Sequence, residues 1–141
     1  MAVIQGINLL PLFVALLLLS GAAYLTVFEP AQLDALALLS LNAHQYGVYI
    51  WEAFFGLHLA VLGYLIFKSG YFPRILGLLM VVGALGYLLD AYGNMLYPNY
   101  DETFGWVVGV TAVFGELPFF LWLLIKGVNV QRYNERTQQL R

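Results

Sequence analysis

The chain has 141 residues, 62% of them hydrophobic and only 10% charged, with no cysteine and a formal net charge of -2. An ordinary soluble domain carries roughly 25% charged residues, and a soluble core of this length cannot hide so much apolar surface, so lipid must be the solvent. The same numbers exclude a disulfide scaffold, a thiolate metal site and a cysteine nucleophile, and no basic run suggests nucleic acid.

A membrane-spanning helix needs about 20 mostly apolar residues. Four stretches meet that length, at about 2–27, 46–67, 75–96 and 104–125. They predict an all-α membrane protein with four spans in a bundle. The first run is too long for a signal core and has no charged start, so it reads as a true span. Strands are excluded because apolar and polar residues do not alternate. Between the first two spans, residues 30–42 follow Glu29-Pro30, and proline suits a first helical turn. This leucine-rich run is too short to cross and predicts a short interfacial helix. A loop or an extension of the second span are the alternatives.

Charge orients the spans. Lys68 and Arg74 fall in the second connection, and Lys126, Arg132, Arg136 and Arg141 follow the fourth span. Glu29, Asp34, Asp101 and Glu102 lie on the opposite side. The positive-inside rule then expects both termini in the cytoplasm, with 1–128 as the membrane domain and 129–141 as a polar tail.

Helices in lipid pack through small residues. The expected packing positions are Gly56 and Gly63 in the second span, Gly83 and Gly86 in the third, and Gly105 and Gly109 in the fourth. Each span also places a polar residue on its small-residue face: Asn8, Glu52, Asp90 and Glu116. Depth suggests two pairs. Glu52 and Asp90 fall roughly 6–8 Å to the outer side of their span centres, and His58 and Glu116 within about 3 Å of the midplane. His58 lies about 120° round the helix from Glu52, so it meets Glu116 only if the fourth helix packs on that side. Each ionisable group at such depth costs on the order of 3 kcal/mol. Two neighbouring carboxylates cannot both stay charged there, so one should hold a proton. With Tyr87, these four make up the candidate ligand or proton site. His44, at the outer end of the second span, needs no special role.

Other chemistries fail. The two histidines lie about 20 Å apart on one helix, which excludes haem held between them. No Glu-x-x-His pair for a di-iron bundle exists, nor any phosphate loop, zinc motif or dinucleotide fingerprint. No catalytic residue, metal or cofactor is expected.

The runs Phe54-Phe55-Gly56-Leu57-His58-Leu59, Gly63 to Gly70 and Pro73-Arg74-Ile75-Leu76-Gly77 resemble a bacterial membrane family. So do Gly86-Tyr87-Leu88-Leu89-Asp90, Gly115-Glu116-Leu117 and Leu121 to Asn129. The family is the one called domain of unknown function 4386, and the resemblance covers about residues 8–129. It implies an integral protein of the bacterial inner membrane and supplies no activity. Members of that family carry further helices upstream, so this chain is either a short member or the C-terminal four-helix part of one. His58, Asp90 and Glu116 stand within the matching motifs, while residues 48–53 around Glu52 match less well.

Three readings follow. The leading one is a binding or interaction subunit: a small-molecule or lipid site near Trp51, Tyr87, Tyr92 and Trp106, or a surface for a protein partner. The alternative is a proton-linked transporter that works as an oligomer through its intramembrane carboxylates. An enzyme is the least favoured. Membrane lipid, a second copy or missing transmembrane helices are the expected partners.

Overall fold

The computed structural model describes residues 2–139, apart from the side chains at positions 132, 133, 136, 137 and 139. Arg141 and the side chains of Arg132 and Arg136 therefore lie outside the described residues. The helices are α1 (Ala2–Ile7), α2 (Leu10–Leu18), α3 (Pro30–Ser69), α4 (Arg74–Leu96), α5 (Asp101–Ile125) and α6 (Val130–Gln139). Short 3-10 turns occupy Ala23–Val27 and Pro98–Tyr100. Among the described residues, three helical segments, 30–69, 74–96 and 98–125, are long and apolar enough to cross a membrane. The chain is a helical membrane protein.

The N-terminal stretch differs from the expected span over 2–27. It is helical only to Leu18 and breaks between α1 and α2. Pro11 explains the break: it has no N–H for the carbonyl of Ile7, and its ring crowds that carbonyl. The amide of Leu12 shortens its reach and bonds the Leu9 carbonyl at 3.1 Å. Beyond Leu18, Gly21 takes a left-handed φ of 69° and ends the helical run. Residues 2–18 would reach about 26 Å, short of the roughly 30 Å hydrocarbon layer.

The separate interfacial helix over 30–42 is not formed either. Those residues are the first turns of α3, which runs 40 residues without interruption. Its start is well made. The Glu29 amide donates to the Gln32 side-chain oxygen at 3.0 Å, half of a capping box. Pro30 stands at the first helical position, and no later proline stops the helix before Ser69. At about 1.5 Å per residue it spans roughly 60 Å.

The chain divides into two compact units, Met1–Trp51 and Glu52–Arg141. In the first, the buried residues are Asn8, Ala15, Leu25 and Ala37. In the second, Leu59, Ile66, Leu76, Met80 and Ala84 form the core, with Phe55, Phe72, Phe119 and Trp122 packed around it. Glycine sets how closely the helices of this unit approach. A Cβ on Gly63 would lie 2.8 Å from the Gly77 carbonyl oxygen, so α3 and α4 touch backbone to backbone. A Cβ on Gly115 would lie 2.9 Å from the Gly83 Cα, and α5 meets α4 in the same way. Gly56 packs on Leu88, and Gly86 leaves room for the Thr111 side chain. The expected roles of Gly56, Gly63, Gly83 and Gly86 are thus found. Those of Gly105 and Gly109 are not, since a Cβ at either meets nothing within 4 Å. Gly109 lies about 120° round α5 from Gly115, so turning Gly115 to α4 leaves the Gly105–Gly109 face open.

Candidate functional site

Spacing along α4 builds the site. Tyr87, Asp90 and Asn94 are three and four residues apart, which puts them on one face of the helix. Asp90 and Asn94 are buried, at 5% and 4% exposure. The Asn94 amide nitrogen donates to the Asp90 carboxylate at 2.9 Å and to the Asp90 backbone carbonyl at 3.0 Å. Glu52 reaches the same place from α3, 8% exposed, with its carboxyl against that of Asp90. The outer pair expected from depth is therefore present. The Tyr87 hydroxyl, within electrostatic reach of Glu52, donates to the Glu116 carboxylate on α5 at 2.9 Å. Five polar side chains from three helices thus form one seam.

Two of its oxygens lack donors. Glu52 Oε2 and Asn94 Oδ1 are buried with no hydrogen-bond partner. Both can only accept, except where a carboxyl carries a proton. A buried acceptor without a donor costs about 1–3 kcal/mol. The cluster is acceptor-rich and donor-poor, which suits a proton, a small cation or a hydrogen-bond donor. Among the described residues no group of three His, Cys, Asp or Glu could hold a metal ion.

The seam has two different ends. Asn94 lies two residues before the end of α4, and the Phe104 ring closes on neighbouring Gly93. Toward the 70–73 loop the seam stops at the apolar core of Leu59, Ile66, Leu76, Met80 and Ala84. Glu116 also borders a groove of about 400 Å³ on the outside of α5, with Ala112, Val113, Leu117 and Phe120.

The midplane pair expected from depth is not formed. His58 is exposed, and its ring stacks on Phe55 at 6.2 Å. Glu116 takes Tyr87 as its partner because α5 packs against α4, away from the His58 side of α3. Of the aromatic rim expected around a pocket, Tyr92 and Trp106 are exposed, Trp51 is half-buried and Tyr87 is placed in the seam.

His44 has a role that the sequence reading passed over. Its Nδ1 lies 2.6 Å from the Asn8 carbonyl oxygen, and the Asn8 side-chain amide donates to the His44 carbonyl at 3.1 Å. The Asn8 carbonyl is available because the break at Pro11 diverts the Leu12 amide. A Cβ on Gly47 would overlap the Asn8 side chain, so this glycine admits the pair. The signal was present in sequence: a proline three residues after a polar residue frees carbonyls that need a donor.

No solved structure matches the chain. Over 74 residues it is 40% identical to an uncharacterized protein of Archaeoglobus fulgidus, a stretch that covers 52% of this chain and 42% of that relative. The chain thus spans less than half the length of the curated relative it matches, and that relative is archaeal rather than bacterial. Residues 1–127 match the domain of unknown function DUF4386, and the chain belongs to that family.

Proposed function

We propose that the chain is a membrane-embedded binding subunit whose seam takes a small cationic or hydrogen-bond-donating ligand from the outer side. The observation that carries this reading is the pair of buried acceptors, Glu52 Oε2 and Asn94 Oδ1, left without donors beside Asp90. A shared proton can neutralise the carboxyl pair, and a donor ligand can satisfy the two open oxygens. The proposal is of binding, without catalysis.

A proton-linked transporter would use the same carboxyls. It needs a polar route to the inner side, and the core below Tyr87 is apolar among the described residues. That reading therefore requires groups supplied by another subunit. We also propose that a second copy or a further helix covers the open Gly105–Gly109 face of α5, next to the groove at Glu116. The basic residues Lys68, Arg74 and Lys126 would face the cytoplasm. The N-terminus is not assigned to that side, because Asn8 bonds to His44, at the outer end of the second span.

Native mass spectrometry of the membrane-extracted protein, with melting temperatures in methylammonium chloride against sodium chloride of equal strength, tests the binding. A ligand at a hundred times its Kd stabilises by about 2.7 kcal/mol. The wild type should respond, and Glu52→Leu combined with Asn94→Leu should stay folded and lose the response. A wild type with no adduct and no response would reduce the seam to structural glue.

A further inference from the structure

We propose that the inner rim of the second unit holds a phosphate group, with Lys126 as its ion partner. A cavity of about 360 Å³ opens between the 70–73 loop and the segment after α5. Lys126, Trp122, Tyr71 and Asn129 are among the residues that line it. Its walls are fixed. The Asn129 amide donates to the Tyr71 carbonyl at 3.2 Å, and the Trp122 indole donates to the Gly127 carbonyl at 3.1 Å. Gly70 and Gly127 take left-handed φ values of 71° and 64°, which turn the chain sharply at both sides of the opening.

The described charge at this rim is mainly positive. Lys126 lies 4.8 Å above the Trp122 ring, Lys68 is 5.6 Å from the Tyr64 ring, and Arg74 is 5.7 Å from the Phe67 ring. Among the described residues the one carboxylate at this end of the spans is Glu135, exposed on α6. Aromatic stacking holds each cation without neutralising it. A cavity at the membrane interface, with a rigid aromatic wall and an ammonium that has no ion pair among the described residues, suits a phosphate anion. Either an acidic phospholipid headgroup or free phosphate supplies that chemistry. Positive charge on the cytoplasmic side needs no site to explain it. What singles out Lys126 is that it lines the cavity, whereas Lys68 and Arg74 do not.

Delipidated protein in neutral detergent is titrated with phosphatidylglycerol, phosphatidylcholine or inorganic phosphate, and bound species are counted by native mass spectrometry. One cation near a phosphate contributes enough for about a five-fold change in affinity. Lys126→Gln should weaken phosphatidylglycerol binding about five-fold, Lys126→Arg should retain it, and Lys68→Gln should change it less than two-fold. Lys126 is exposed, so the melting temperature should hold in each variant. Preference for phosphatidylglycerol without competition from inorganic phosphate supports the lipid source. Competition by inorganic phosphate, lost in Lys126→Gln, supports the free anion. Equal losses in Lys126→Gln and Lys68→Gln would overturn the site in favour of diffuse surface charge. Equal binding of phosphatidylglycerol and phosphatidylcholine would overturn it too.

Discussion

The second unit has two halves built on the same three helices, named outer and inner after the proposed orientation, and they solve different problems. The inner half is apolar and closely packed, with Leu59, Ile66, Leu76, Met80 and Ala84 buried around the contact of Gly63 with Gly77. The outer half brings together Glu52, Tyr87, Asp90, Asn94 and Glu116 and leaves two oxygens without donors. In lipid, close contact and interhelical hydrogen bonds replace the hydrophobic force as the source of association. The inner half relies on close contact alone, whereas the outer half adds hydrogen bonds and keeps two acceptors open. That division motivates the binding site proposed for the outer half.

Substitutions can break this contrast, starting where packing is tightest. Gly63→Leu should cost about 3 kcal/mol in detergent unfolding, because backbone atoms cannot yield as side chains do. Met80→Ala, in the same half, should cost about 2 kcal/mol through the cavity it leaves. Tyr87→Phe removes one interhelical hydrogen bond and should cost about 0.6 kcal/mol. A much larger loss would mean that the outer seam is a stability element after all. Smallest of all, Gly109→Leu should change the stability of the monomer by less than about 0.5 kcal/mol. If it instead abolished an oligomer at constant monomer stability, the open face of α5 would be the surface between copies.

Much of this contrast was legible before the fold. Glycine spacing marked Gly56, Gly63, Gly83 and Gly86, because a small residue beside a polar one on a helix in lipid has few other uses. Depth alone matched Glu52 with Asp90. It failed for His58 with Glu116, because depth says nothing of which side the next helix packs on. The same ambiguity misplaced Gly105 and Gly109, since a small-xxx-small pattern names a face and not its occupant. Asn94 was readable as the i+4 partner of Asp90, yet one sequence cannot show that its oxygen ends without a donor. The long α3 corresponds to the alternative in which residues 30–42 extend the second span, and the separate interfacial helix was preferred for a different reason. Leucine-rich residues followed by Asn42 and His44 look like an interfacial segment, but nothing among them terminates a helix.

Accessibility of single cysteines tests the central claim most directly, because the natural chain has none. Asn94→Cys and Met80→Cys are placed separately in oriented membrane vesicles and exposed to a membrane-impermeant thiol reagent from each side. The account predicts that Asn94→Cys reacts from the outer side and that Met80→Cys reacts from neither. Reaction of Met80→Cys from the inner side would contradict it, because the seam would then be part of a path through the membrane.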